Sequence, residues 1–244
     1  MELAGNTVLI TGGASGIGLA LAERFLQAGS EVIICGRRAD KLREAQAAHP
    51  GVHTRVCDVE TAAGRGSLFT WAAAEFPQIN VLVNNAGIQR RVARLADEHD
   101  WERTHQEIAI NFEAPVHLSA LFIPHLRKQK RAAILNVTSG LGFAPLVGVP
   151  IYSATKAAMH SFTLSLRHQL LETPIRVVEI IPPAVNTDLG GVGLHTFGAP
   201  VDEFADAVMT RIRNGDLEVA YGFSEQASRA SRAELDQMFT RMNQ

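Results

Sequence analysis

Four polar residues of the chain have the types and the spacing that proton transfer requires. Tyr152 and Lys156 are four positions apart in a stretch with helical periodicity, so their side chains leave one face of a helix about one turn apart. Ser139 lies just after an apolar run, thirteen residues before Tyr152, and Asn111 lies in the preceding helical stretch. A carbonyl carbon that accepts a hydride leaves negative charge on its oxygen, so a proton donor must lie within hydrogen-bond reach. Tyr152 is predicted to be that donor.

A tyrosine needs help from its neighbours to act as an acid near neutral pH. The pKa of a free phenol is about 10, and lowering it by about three units requires about 4 kcal/mol of differential stabilisation. Lys156 and a cofactor that carries positive charge when it is oxidised are expected to supply that energy. In the alternative interpretation, Tyr152 and Lys156 are an ordinary pair on an amphipathic helix and Ser139 is a helix cap.

A glycine-rich turn near the start of the chain has the features of a phosphate-binding loop. Residues 11–18 read TGGASGIG and connect the first apolar run to the first helical pattern. Glycine permits positive φ and close approach of a pyrophosphate, while a helix N-terminus offers unpaired N–H groups. The turn therefore predicts a dinucleotide site with Gly12, Gly16 and Gly18 at its key positions, the alternative being a tight connection and nothing more.

The end of the second apolar run indicates which dinucleotide binds. NAD-binding units usually end this strand with Asp or Glu for the adenosine ribose, whereas a 2′-phosphate requires cations. Here Arg37 and Arg38 follow Gly36, and no carboxylate stands at that place. The planar guanidinium of Arg37 matches a phosphate, and Arg38 adds charge. NADP(H) is the preferred cofactor and NAD(H) the alternative, unless both arginines are simply solvated at a helix start.

Together these motifs resemble the short-chain dehydrogenase/reductase family, whose signatures are T-G-x-x-x-G-x-G, N-N-A-G and an Asn-Ser-Tyr-Lys tetrad. The resemblance runs over about residues 1–221, and residues 217–224 with the preceding helix resemble its DltE-like branch. It implies an NADP(H)-dependent oxidoreductase that interconverts a carbonyl and a secondary alcohol. It further implies that Ser139 binds the substrate oxygen, that Lys156 holds the nicotinamide ribose, and that Asn111 positions a water in a proton relay.

The resemblance also implies a set of cofactor contacts. Asp58 and Val59 would lie near the adenine, and Asn85 against the cofactor. The family pattern P-G-x-V-x-T is PPAVNT at residues 182–187, with Pro183 where glycine is usual. Proline removes a backbone donor and fixes φ. We therefore expect Pro183 to shift the contacts that Val185 and Thr187 would make with the nicotinamide amide. The predicted cofactor-binding residues are Gly12, Ser15, Gly16, Ile17, Gly18, Arg37, Arg38, Asp58, Val59, Asn85, Ala86, Gly87, Tyr152, Lys156, Pro182, Val185 and Thr187.

Short β-branched apolar runs alternate with longer helical patterns along the chain. Strands are predicted at residues 7–10, 31–35, 52–56, 81–83, 133–137, 176–181 and 217–221, and helices at residues 17–28, 39–48, 62–76, 101–128, 152–171 and 201–214. Strands that are apolar on both faces are typical of a parallel sheet covered by helices. The prediction is an α/β fold, a single-domain Rossmann-type doubly wound parallel sheet of about seven strands that spans residues 1–244.

Two glycine-rich apolar segments indicate the character of the substrate. Residues 188–200 have the composition of a mobile apolar lid, and residues 140–150 add apolar side chains beside Ser139. We therefore expect a small-molecule carbonyl or alcohol substrate that is partly apolar. Arg90 and Arg91 follow the N-N-A-G turn, where they either receive an anionic substrate group or are solvated surface arginines.

The last residues predict a helix over 233–244 with an apolar stripe that requires a partner. The partner is either the rest of the domain or a neighbouring subunit. By resemblance to the family, the helices predicted at residues 101–128 and 152–171 are the surfaces that would pair in a homodimer or homotetramer.

The net charge and the cysteine content argue against several other classes of protein. The net charge of −2 provides no positive field for nucleic acid or an anionic membrane. Two cysteines are too few for a disulfide framework, and the nine histidines follow no metal-ligand spacing, so no metal is expected. Residues 1–13 lack the features of a signal peptide and no run is long enough to span a membrane, so the cytoplasm is the expected location.

Two other functions have to be weighed against these sequence features. A non-catalytic nucleotide-sensing or scaffold protein would keep the fold without consuming NADPH when offered ketones or aldehydes. A sugar-nucleotide epimerase or dehydratase shares the Tyr-x-x-x-Lys spacing, but such enzymes have T-G-x-x-G-x-x-G and an added substrate domain, for which 244 residues leave little room.

Overall fold

The apolar runs of the chain pair into one parallel sheet. The structure, a computed structural model, describes residues 1–92, 94–97 and 100–244. Its strands are β1 (Thr7–Thr11), β2 (Glu31–Gly36), β3 (Val52–Val56), β4 (Val81–Asn84), β5 (Ala132–Val137), β6 (Ile175–Ile181) and β7 (Glu218–Ala220). The sheet order is β3-β2-β1-β4-β5-β6-β7, with every neighbouring pair parallel. The predicted single-domain Rossmann-type fold is confirmed.

Helices cover both faces of this sheet. They are α1 (Gly16–Gln27), α2 (Ala39–Ala48), α3 (Ala62–Glu75), α4 (Trp101–Ile108), α5 (Ala114–Leu126), α6 (Pro150–Gln169), α7 (Val201–Asn214), α8 (Phe223–Arg229) and α9 (Arg232–Met242). Successive strand residues alternate between the faces: Leu9 packs in one cluster with Phe122 of α5, and Ile10 in the other with Phe25 of α1. Because both faces are buried, the strands are apolar on both sides.

The strand order positions the site. The connection after β1 leads to β2 on one side, whereas β4 lies on the other side of β1. The loops that follow β1 and β4 therefore diverge at the carboxyl ends of the strands. In doubly wound sheets a crevice opens at such a point, and ligands bind there.

The prediction of one continuous helix over residues 101–128 is wrong, because the helix is interrupted in its middle. A π-helical turn at Ala109–Glu113 separates α4 from α5, and the N–H of Ala114 bonds to the carbonyl of Ala109. Pro115 supplies the physical reason, because it has no N–H to donate to the carbonyl of Asn111, four residues earlier. The turn widens where that bond is missing, as π-helical turns at functional sites often do.

The C-terminal part differs in detail from the sequence prediction. α8 was not predicted, and α9 begins at Arg232 behind a capping box formed by Ser231 and Glu234. None of the residues of α9 is fully buried, and Phe239 is 40% exposed. Asn243 ties the end of the helix to its own domain: its Oδ1 accepts from the N–H of Val147 at 2.7 Å.

The described residues contain neither a membrane-spanning helix nor a cluster of possible metal ligands. Within residues 1–92, 94–97 and 100–244, every helix falls short of the length and apolar character that crossing a lipid bilayer demands. Over the same ranges, no three His, Cys, Asp or Glu side chains come together as a metal site would need.

Candidate active site

The carboxyl ends of the strands open into one large cleft of about 1490 Å³. It runs from the loop after β2, past the loops after β1 and β4, to the segments that follow β5 and β6. Every residue predicted to contact the cofactor lines this cleft, as does Ser139. Pockets for a single small molecule usually enclose about 300–1,000 Å³, so the cleft has room for an extended ligand and a second small molecule.

The glycine turn after β1 is held against the loop after β4. Asn85 Nδ2 donates to the carbonyl oxygens of Thr11 and Gly12 at 2.9 and 3.2 Å. In return, Thr11 Oγ1 accepts from the N–H groups of Asn85 and Ala86, both at 3.1 Å. A Cβ on Gly18 would lie 2.4 Å from the carbonyl oxygen of Gly12 and 2.4 Å from Asn85 Nδ2. Only glycine at position 18 lets α1 approach the turn this closely.

The first turn of α1 presents a surface suited to an anion. Gly16 begins the helix with φ of 54°, and the N-cap residue Ser15 forms no side-chain cap among the described residues. Instead Ser15 Oγ accepts from Arg38 Nη2 at 3.0 Å, which holds that guanidinium over the helix start. Uncapped helical N–H groups beside a cation match the phosphates of a dinucleotide. The residues present therefore fit a pyrophosphate.

One cation, Arg37, faces two anions, Asp58 and Glu60, where β2 and β3 end. Arg37 Nη1 lies 3.5 Å from Glu60 Oε2 and 4.0 Å from Asp58 Oδ2, and the Arg37 side chain is 45% exposed. Glu60 is absent from the predicted set, although its place two residues after Asp58 could have revealed it. The guanidiniums fit a 2′-phosphate, but the two carboxylates compete for Arg37.

Ser139, Tyr152 and Lys156 meet on the other side of the glycine turn, all nearly inaccessible to solvent. Ser139 follows β5, and its hydroxyl accepts from the N–H of Leu141 at 3.1 Å and lowers the pKa of the Tyr152 phenol. Lys156 Nζ lies 5.5 Å from the centroid of the Tyr152 ring and donates to the carbonyl oxygen of Val137 at 2.8 Å. The predicted spacing therefore does bring these side chains together.

The pKa of Tyr152 is raised, whereas the sequence analysis expected the environment of Tyr152 to lower it. Burial raises it to about 12, the negative charge of Glu107 adds to the rise, and the hydrogen bond with Ser139 offsets part of it. Burial also lowers the pKa of Lys156 to about 8. In the protein without cofactor, desolvation dominates at the phenol, and the ammonium of Lys156 is directed at the carbonyl of Val137. That Lys156 and a bound, oxidised nicotinamide together lower the pKa of Tyr152 stays a prediction.

Asn111, the fourth member of the tetrad, lies in the π-helical turn and is 2% exposed. Its Oδ1 accepts from the N–H of Ile88 at 2.9 Å, and its Nδ2 donates to the carbonyl of Ile88 at 2.8 Å. The same Nδ2 reaches Thr155 Oγ1 on α6 at 3.3 Å. Asn111 therefore braces the segment after the N-N-A-G turn against the helix that carries Tyr152. Asn84, by contrast, braces the sheet through Asn136 Oδ1 at 2.8 Å.

The two arginines after the N-N-A-G turn differ in what surrounds them. Arg90 contacts the carbonyl of Arg103 and the side chain of Gln106, so α4 engages its guanidinium. Arg91 is exposed at the cleft. Of the two, Arg91 is the better placed to meet an anionic group.

The segment at residues 188–200 forms an excursion over the cleft. Two main-chain hydrogen bonds hold the end of this segment. The N–H of Ala199 donates to the carbonyl of Ala184, and the N–H of Asn186 donates to the carbonyl of Ala199, both at 2.9 Å. Between these anchors Val192 is 85% and Phe197 is 75% exposed. Apolar side chains with so little cover are free to pack on a ligand.

Behind Ser139 lies a polar cluster that the sequence did not reveal. The Glu179 carboxylate on β6 is fully buried, and it accepts from Thr138 Oγ1 at 2.8 Å. His160 Nδ1 lies 2.9 Å from its other oxygen, and this hydrogen bond raises the pKa of His160. His160 stands one helical turn after Lys156, so the spacing on α6 was an available signal.

Comparison with known proteins identifies relatives of the whole chain. The family model described as short chain dehydrogenase matches residues 6–192. A protein of Bacillus subtilis (strain 168), named uncharacterized oxidoreductase DltE, is 47% identical over 100% of this chain and 98% of its own. The NADP-dependent 3-hydroxy acid dehydrogenase YdfG of Escherichia coli (strain K12) is 33% identical over 73% of this chain and 72% of its own. The crystal structure of a short chain dehydrogenase from Burkholderia cenocepacia J2315 in complex with NADP has a TM-score of 0.85 and 26% identity, and covers 99% of both chains.

Proposed function

The chain belongs to the short-chain dehydrogenase family, in its DltE-like branch, and on this basis we propose that it is an NADP(H)-dependent oxidoreductase that interconverts a carbonyl compound and a secondary alcohol. The observation that carries the proposal is that Ser139, Tyr152 and Lys156 line the inner end of the cleft together, with Lys156 Nζ 5.5 Å from the centroid of the Tyr152 ring. An intact set of this kind also disfavours a non-catalytic sensor or scaffold.

The cofactor is assigned to the outer part of the cleft. The first turn of α1 would hold the pyrophosphate, and Arg37 with Arg38 would hold a 2′-phosphate. The bound cofactor supplies or accepts the hydride. NADP(H) is preferred over NAD(H) because two cations face this part of the cleft, and a relative crystallised with NADP supports the choice.

The chain's own residues manage the proton. Tyr152 gives its phenolic proton to the substrate oxygen during reduction and takes one back during oxidation. Ser139 can donate a hydrogen bond to the same oxygen, while Lys156 places a positive charge beside the phenol. Because the three groups are nearly inaccessible to solvent, their electrostatic effects act through a medium of low polarity.

The substrate is proposed to be small and partly apolar. The 188–200 excursion carries the exposed Val192 and Phe197 and acts as its lid. The name of the Escherichia coli relative suggests 3-hydroxy acids as candidate substrates. Arg91 at the cleft would bind the carboxylate of such a substrate. We also propose that exposed apolar residues of α4 and α6, among them Trp101 and Leu164, contribute to a homodimer or homotetramer.

The test is NADPH consumption with a panel of ketones, aldehydes and 3-oxo acids. Tyr152→Phe should lower turnover by about 100-fold or more, because it removes only the proton donor. NADPH binding, followed by its fluorescence, and the thermal midpoint should stay near the wild-type values. A Tyr152→Phe protein that turns over at the wild-type rate would refute the proposal.

A further inference from the structure

Besides Glu179, a second buried carboxylate, Glu107, has no part in the proposed proton transfer. Glu107 lies on α4 and is only 1% exposed, and burial raises its pKa to about 7. Its Oε1 accepts a hydrogen bond from the N–H of Arg90 at 3.3 Å. Burying an ionisable group is costly, and an apolar residue would pack here without that cost. Such groups concentrate at functional sites.

Glu107 shares a task with Asn111. Glu107 lies in the last turn of α4 and Asn111 in the π-helical turn that follows, and both side chains bond to the 88–90 segment. Asn111 holds the N–H and the carbonyl of Ile88, and Glu107 holds the N–H of Arg90. Together they fix three main-chain groups of the 88–90 segment, which lines the cleft directly after the N-N-A-G turn.

The same carboxylate also acts on the phenol. α4 packs against α6, and the charge of Glu107 opposes ionisation of Tyr152. Arg90 faces Glu107 from the 88–90 segment and offsets part of the effect of burial. On α6, the titratable group that responds to the charge of Glu107 is Tyr152, whereas Lys156 turns its ammonium to the carbonyl of Val137.

We propose that Glu107 is a positioning residue for proton transfer at Tyr152, because it holds the 88–90 segment and brings a buried carboxylate to a helix that packs against α6. The inference rests on the proposed role of Tyr152. Above about pH 7 Glu107 is charged and favours the protonated phenol, the form needed for carbonyl reduction. Below that pH the carboxyl is neutral, and this opposition to ionisation disappears.

A direct titration of the phenol tests the electrostatic part. The chain has two tyrosines, so protein labelled with 3-fluorotyrosine gives two fluorine NMR signals, which a Tyr221→Phe variant assigns. Fluorination lowers the pKa of a phenol toward the range in which proteins stay folded. In Glu107→Gln the titration midpoint of residue 152 should fall by about one pH unit, because the negative charge is removed.

The matched control is Glu102→Gln, which makes the same chemical change at an exposed position of the same helix. It should leave the midpoint unchanged. An equal midpoint in wild type, Glu107→Gln and Glu102→Gln would overturn the proposal. Glu107→Gln resembles the neutral carboxyl that the wild type already carries at low pH, so it should fold.

Kinetics separate the two parts of the role. Glu107→Gln keeps an oxygen for the Arg90 N–H, so the KM for NADPH should hold while the pH profile of kcat moves to lower pH. Glu107→Ala removes the acceptor as well, so the KM for NADPH should also rise, by about fivefold or more. Identical KM values in both variants would refute the positioning part. The fluorine titration needs no turnover, so it stands even if Tyr152→Phe disproves the proposed function.

Discussion

Replacing Arg37 by serine should weaken the use of NADPH far more than that of NADH. A hydrogen bond to a charged group contributes about 1.5–3 kcal/mol. Arg37 is 45% exposed and already has carboxylate oxygens of Glu60 and Asp58 at 3.5 and 4.0 Å. Because solvent screens the guanidinium and the carboxylates compete for it, we expect Arg37 to contribute about 1.5 kcal/mol to binding of the 2′-phosphate, the lower end of that range. This corresponds to roughly a tenfold change in the preference for NADPH over NADH.

The assay compares kcat/KM for both cofactors in wild type, Arg37→Ser and Arg43→Ser. Arg43 is an exposed residue of α2, so its replacement removes the same charge without touching the cleft. We expect the preference to fall about tenfold in Arg37→Ser and to stay constant in Arg43→Ser. A companion variant, Glu60→Gln, should raise the preference because it frees the guanidinium. Added salt should shrink each of these differences.

Two outcomes would refute this reasoning. Equal losses with NADPH and NADH in Arg37→Ser would mean that the residue supports the loop and not a 2′-phosphate. A loss of the same size in Arg43→Ser would mean that net charge, and not the geometry at Arg37, steers the cofactor.

Two other substitutions test the cleft and its surroundings. Gly18→Ala should abolish measurable NADPH binding by fluorescence, since the new Cβ would lie 2.4 Å from the carbonyl of Gly12 and from Asn85 Nδ2; wild-type affinity would contradict the glycine argument. The hydrogen bond to Glu179 raises the pKa of His160 in the folded state, so its stabilisation is complete below about pH 6.5 and is lost as the pH rises through the higher folded value. Urea unfolding of wild type and His160→Gln across this window should show their difference shrinking with pH, and a constant difference would count against the ion pair.

The sheet and most of the tetrad are predictable because they depend on local pattern. Apolar runs such as that of β5 can be buried on both faces only in a covered parallel sheet. Tyr152 and Lys156 share a helical turn at any tertiary arrangement, so their proximity follows from spacing alone. The glycine turn is recognised for a similar reason, since its conformation depends on residues adjacent in sequence.

The features that escaped prediction depend on contacts between distant segments. The π-helical turn could have been suspected from Pro115, but its bond to Ile88 through Asn111 requires the folded structure. Glu60 reaches Arg37 only because β3 lies beside β2. The pKa of Tyr152 likewise depends on how completely α6 is covered, and periodicity does not report that degree of burial.

The π-helical turn also has a consequence for how this protein can change by mutation. In a helix, a π turn is equivalent to a single inserted residue, and one residue corresponds to about 100° of rotation. Deleting one position between Ala109 and Glu113 would restore a regular helix and swing all of α4 about its axis relative to α5. If α5 keeps its place, Glu107 would then be turned by about 100° away from the N–H of Arg90. Deleting the single residue Phe112, which does not line the cleft, is therefore enough to break that hydrogen bond while every side chain in the cleft is kept.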